Sequence, residues 1–218
     1  MNTTTAHFPP PAPPRLVLAR ISGWLGASLV IGTMLFFVTL DALPYLFEIE
    51  PSIYKGYWPT RAWMFAHVAL GTAALVIGAA QIGLGLSGRT RALHRWLGRA
   101  YVVCVVSSCI AVAGLLSHGS LVGRSFGVLL ATIASISTLY VLLGASAARR
   151  RDTHAHRAWM IRSYMSMMIF AVFRLAVKLP VLLDMPLPER FTTLLAVMYF
   201  LVLAGTEIAL QARSPARG

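Results

Sequence analysis

The chain reads as an all-α, polytopic membrane bundle of six transmembrane helices, and three observations predict it. Hydrophobic residues make up 57% of the 218 residues and charged residues only 12%, far from the balance of a soluble globular domain. Six apolar runs, at about 17–39, 62–86, 98–117, 123–145, 157–182 and 191–211, are each close to or above the roughly 18 to 20 residues that cross a hydrocarbon core as a helix. The charges are sorted by side. Arg15, Arg20, Arg89, Arg91, Arg95, Arg99, Arg149, Arg150, Arg151, Arg157, Arg162, Arg213 and Arg217 fall on one side of the runs, and Asp41, Glu48, Glu50, Asp184 and Glu189 on the other. That is the positive-inside pattern, which places both termini of a multi-pass protein in the cytoplasm.

In chain order, residues 1–16, with His7 and the run Pro9–Pro14, are expected to be a disordered proline-rich cytoplasmic tail. They do not form a secretory signal, because no basic segment precedes a short apolar core. Residues 17–212 form the six-helix domain, since in lipid every backbone N–H and C=O needs an internal partner. The connections are too short for a soluble domain, and 213–218 is a short cytoplasmic tail. The first external loop, Asp41 to Arg61, carries Tyr45, Phe47, Tyr54, Tyr57 and Trp58, with Trp63 just inside the next helix. Aromatics at this level form an interfacial belt, or a lid over an outer-leaflet site. Pro44, Pro51 and Pro59 argue against a long helix within that loop.

The second helix bears a stripe of His67, Gly71, Ala74, Gly78, Gln81 and Gly85, spaced to fall on one face. Small residues in this pattern admit a neighbouring backbone or a flat ligand. The fifth helix repeats the spacing with Met160, Tyr164, Met167, Ala171, Arg174 and Lys178. Arg174 lies roughly 25 Å along the helix from Arg157, near the outer boundary, where it either snorkels to headgroups or lines a cavity. Cys104 and Cys109 sit in the third span on different faces and read as packing residues, not a disulfide.

Several function classes drop out. The net charge of +12 is distributed as topology signals and lipid-phosphate contacts, so membrane lipids are the expected partners and nucleic acid is not. There is no Ser-His-Asp arrangement, no paired carboxylate within a span (Glu207 stands alone) and no glycine-rich phosphate loop.

Histidines carry what chemistry remains. His94 and His156 open helices three and five on the arginine-rich side, His154 lies in the loop beside Asp152, His67 is near the outer end of helix two, and His118 ends helix three on the outer side. Neutral imidazole is the commonest metal ligand and a usual axial ligand of haem iron. A b-type haem in a bundle needs two facing histidines, small residues beside the ring and cations for its propionates. His94 and His156 meet that need, with Gly98 one turn on, with Arg95, Arg99, Arg157 and Arg162 as carboxylate partners, and with Tyr101 and Tyr164 as walls. His67 with His118 would form a second, outer pair. The competing reading makes the inner histidines ordinary boundary residues that bind lipid phosphate or cap helix ends.

The two inner motifs also carry a resemblance. From Arg61 to about Arg174 the chain resembles the bacterial membrane-protein family known as domain of unknown function 2306, through HRxxGRxY at His94–Tyr101 and HRxWMIRSY at His156–Tyr164, with His67, Gly71 and Gln81 on the second helix. That family has no established activity, so the resemblance implies fold and location and leaves the reaction open. The segment LHRWLG at 93–98 is more distantly similar to LHSWLG of the ascorbate-reducible two-haem transmembrane cytochromes b. This similarity implies a histidine pair from helices three and five. Helix four, 123–145, holds no histidine, so His67 lacks its counterpart unless His118 serves, and a one-haem version fits better. Two functional readings follow: a haem b protein of membrane electron transfer, exchanging electrons with quinone or another redox partner; or a non-redox protein whose His67–Gln81 stripe and Arg174 line a cavity for an anionic or lipid-like ligand. A structural subunit of an oligomer is a third.

Overall fold

The computed structural model describes residues 28–87, 91–119, 122–180 and 186–212. Among these are six long helices and no strand. They are α1, Ser28–Phe47; α2, Arg61–Ser87; α3, Arg91–Leu116; α4, Arg124–Arg149; α5, Thr153–Ala176; and α6, Leu187–Ala212. The proline-rich tail, Arg15, Arg20, Arg89, Asp184 and 213–218 lie outside the described residues, and the expected placement of the termini lies there with them.

Five of the helices, α1, α2, α3, α4 and α6, are long and apolar enough to cross a membrane, whereas α5 is not among them. The position of α5 accounts for its polarity. Two apolar cores run through the molecule, and α5 belongs to both. Tyr164, Met167, Met168 and Ala171 pack with Ala74, Leu75, Tyr101, Val105 and Val141. Ile169, Phe173 and, just past the helix end, Val177 pack with Phe126, Ile133, Leu195 and Tyr199. A helix enclosed by other helices can carry hydroxyls and cations, because the partners that lipid lacks are supplied by protein. The outer surface has the opposite character: Leu29, Phe200, Ile208 and Val103 are among the exposed apolar side chains, a coat suited to hydrocarbon and costly in water.

The helices are arranged as a ring, with α2 against α3, α3 against α4, α4 against α5 and α5 back against α2, while α6 covers α4 and α5. Short connections make sequence neighbours antiparallel, so α3 and α5 run parallel and face each other across the ring. Their N-terminal turns lie at the same, arginine-rich end. Close approach between helices rests on glycine. A Cβ at Gly114 would come 2.3 Å from the Trp63 ring, and one at Gly78 would come 2.4 Å from the Tyr164 ring.

Several expected boundaries shift, among them that of α5, which runs Thr153–Ala176 and not 157–182. Helix α1 continues past residue 39 to Phe47, with a π-helical stretch at Val38–Ala42, so Asp41 belongs to a helix and not to the loop. The aromatic segment that follows is itself coiled into a short turn, Pro51–Tyr54, and a 3-10 stretch, Lys55–Thr60. There Tyr54 donates its hydroxyl to the Tyr45 carbonyl and packs edge-on against the rings of Tyr45 and Trp58. Helix α3 begins at Arg91 and not at 98, because a charged first turn remains helical where water and headgroups bathe it.

The connection from α4 to α5 is only Arg150–Asp152 long. Arg151 adopts the left-handed conformation at φ 60°, and the Asp152 side chain accepts from the Ala155 N–H at 2.9 Å, capping the first turn of α5. Asp152→Ala is expected to cost about 1 kcal/mol of stability. The expected readout is a lower thermal unfolding midpoint of the purified protein in detergent.

Candidate functional site

His94 lies in the first turn of α3 and His156 in the first turn of α5. The ring geometry follows from two anchors. The His156 Nδ1 is 2.9 Å from the Gly144 carbonyl oxygen on α4. A carbonyl only accepts, so Nδ1 carries the proton and donates it, and the lone pair is left on Nε2. His94 is held through its backbone: the buried Gln81 amide on α2 donates to the His94 carbonyl at 2.7 Å. Gly85 and Gly98 leave room beside these groups. A Cβ at Gly85 would stand 3.7 Å from His94 Cε1, and one at Gly98 would stand 3.8 Å from Gln81 Nε2.

The two imidazoles then stand with ring centroids 6.5 Å apart and planes at 84°. Two imidazoles holding one metal ion between them would place their ring centres about 6.2 Å apart, since each ligand bond is about 2 Å and each ring adds about 1.1 Å. His94 Nδ1 is buried and unpartnered. That Nδ1 lacks the second contact a ligating imidazole usually makes, and among the described residues no cluster of three or more His, Cys, Asp or Glu side chains is placed to hold a metal ion.

The surrounding residues divide. Arg95, Arg99 and Arg157 are exposed at the rim beside the pair, with the Arg99 guanidinium 5.2 Å from the Trp96 ring centre. Arg162, expected to join them, is committed elsewhere. It forms a bidentate pair with Glu207 of α6, at 2.6 and 2.7 Å, and lies over Trp159 at 4.7 Å. Glu207 is therefore not alone in its span; it is the counter-charge that fastens α6 to α5. Tyr101 and Tyr164 are deeper, at 1% and 5% exposure. Both rings close on Gly78, and the Tyr101 hydroxyl is 3.1 Å from Ser163 Oγ. The Tyr164 hydroxyl is buried with no partner. His154 is exposed and apart from the pair.

At the other end the histidines separate. His67 Nδ1 lies 3.0 Å from Ser108 Oγ, and Ser108 Oγ lies 3.2 Å from the His67 carbonyl, a closed α2–α3 contact that Gly71 makes possible. His118 is exposed, its Nδ1 3.0 Å from Ser117 Oγ and 3.2 Å from the Gly114 carbonyl of its own helix end. Among the described residues no contact joins His67 and His118, so the structure does not bring the expected outer pair together. The α2 stripe is likewise filled, by Ser108 at Gly71 and by Tyr164 and Tyr101 at Gly78.

A second polar group had no signal within any one segment. Arg174 Nη2 and Lys178 Nζ of the α5 end bind the two oxygens of Asp41, at 2.8 and 2.9 Å, and the Asp41 side chain is 6% exposed. Arg174 and Lys178, four apart in sequence at the end of α5 and just past it, announce the need for a counter-charge. Nothing local says that it comes from α1. A hydroxyl seam, Ser137 to Ser166 at 2.7 Å and Ser166 to Tyr199 at 3.1 Å, joins α4, α5 and α6 in the same unannounced way.

With this geometry in place, the comparisons locate the chain. Residues 64–208 match the family model described as predicted membrane protein, domain of unknown function 2306 (DUF2306). The match runs from the first turn of α2 into the last turns of α6, so it includes His94, His156, Arg174 and Lys178 and leaves out α1. No curated protein and no solved structure matches the chain.

Proposed function

The chain belongs to the DUF2306 family of predicted membrane proteins, and from that premise we propose that it binds one b-type haem between His94 and His156 and serves membrane electron transfer. The observation that carries the reading is the imidazole pair: centroids 6.5 Å apart, planes at 84°, and a His156 tautomer set by the Gly144 carbonyl so that Nε2 points its lone pair away from the protein's own hydrogen bond. A carbonyl behind a ligating imidazole orients the ring and raises its basicity. The haem would supply one-electron redox chemistry at this end of the bundle.

The chain's own residues do the rest. Gln81 fixes the first turn of α3, and with it His94. Arg95, Arg99 and Arg157 are exposed and available to carboxylates. Arg162 serves α6 instead. In this reading the arginine-rich end faces the cytoplasm of a bacterial inner membrane, and a quinol or a protein redox partner exchanges electrons there. The competing reading, a ligand cavity along the α2 stripe, has less to stand on, since the side chains of neighbouring helices occupy that stripe.

The test is an absorption spectrum of the full chain, purified in detergent from haem-replete cells, oxidised and then reduced. A Soret band that shifts on reduction supports the proposal. A colourless preparation that also takes up no added haem defeats it.

A further inference from the structure

The end of the bundle opposite the imidazoles holds an unbalanced charge group. Asp41 lies in the π-helical stretch of α1, a distortion found often at functional sites because it turns one side chain out of the regular helical register. Its carboxylate is almost fully buried, and each oxygen is taken by a different cation of α5. The cations are far more open: the Arg174 side chain is 37% exposed and that of Lys178 is 45%. One carboxylate against two cations leaves a net single positive charge. Among the described residues no second carboxylate pairs with either cation.

Donors remain as well as charge. A guanidinium offers five N–H groups and an ammonium three, and Asp41 takes one from each. The Lys178 ammonium is steadied 5.4 Å from the Phe36 ring centre, and the Arg174 fork is oriented by its bond to the buried carboxylate. Cations pre-oriented at a membrane boundary, with unspent donors and an unmatched charge, suit a tetrahedral oxyanion, for which a fork and a point charge are complementary. We propose that Asp41, Arg174 and Lys178 form a phosphate-binding site between α1 and α5, with Asp41 positioning the two cations that contact the anion. The phosphate comes either from a free phosphate compound or from an anionic lipid headgroup. The site stands independently of the haem reading, at the far end of the molecule.

The full chain in detergent is titrated with inorganic phosphate, with dihexanoyl phosphatidylglycerol, and with chloride at matched ionic strength, following the thermal unfolding midpoint. A saturable rise with phosphate assigns a free oxyanion; a saturable rise with the lipid alone assigns a headgroup. Lys178→Gln removes the surplus charge and is expected to weaken the apparent affinity at least about tenfold. Asp41→Asn has the opposite sign: it lowers the midpoint of the unliganded protein yet tightens anion binding several-fold. A midpoint that follows ionic strength alone overturns the proposal. So does a Lys178→Gln protein that titrates like the wild type, or an Asp41→Asn protein that binds the anion more weakly.

Discussion

His156→Ala and His94→Ala are each expected to abolish the reducible absorption band, while His154→Ala leaves it intact. Removing only the group behind a ligating imidazole typically costs about 10- to 100-fold in retention of the bound metal, so losing the ligand itself should exceed about 100-fold. His154 is the fitting control because it lies two residues from His156, on the same helix, and is exposed and apart from the pair. Misfolding is separated from ligand loss by a rescue experiment. His156→Gly leaves a gap of imidazole size below the Gly144 carbonyl, and free imidazole added to that variant restores the band if the residue acts as a ligand. A band that survives in both histidine variants removes these residues from the site.

How much of this was legible in the sequence depends on the range over which each feature is specified. The apolar runs mark α2, α4 and α6 closely, because lipid selects composition residue by residue. Helix ends are poorly marked by the same measure: hydropathy detects the hydrocarbon core, so the charged first turn of α3 from Arg91 and the α1 extension through Asp41 look like loop. The meeting of His94 with His156 could be anticipated, since both follow short connections and open parallel helices. Its tautomer could not, because Gly144 contributes only a backbone oxygen. Arg162 shows the limit most clearly. Beside His156 in sequence it resembles a partner for the site, yet Glu207, forty-five residues on, claims it. A cation in a helix states that it needs an anion and does not say which one. The glycines of α2 were similarly ambiguous between ligand and neighbour, and only the tyrosine rings on Gly78 decide it.

That packing supports the second large effect, a contrast between two chemically identical substitutions on one helix. At Gly78 an added Cβ would come 2.4 and 2.6 Å from Tyr164 and 3.0 Å from Tyr101, whereas at Gly83 nothing lies within 4 Å. Neither tyrosine can readily yield. Tyr101 is 1% exposed and held to Ser163, and Tyr164 is wedged among Met167, Met168 and Ala74 in the main core. Gly78→Ala is therefore expected to destabilise by about 3 kcal/mol, at the upper end of the range for overpacking. Gly83→Ala gains up to about 1 kcal/mol from helix propensity. The two thermal midpoints in detergent should move in opposite directions. Equal midpoints for the two variants would mean that α2 and α5 are not in the contact described.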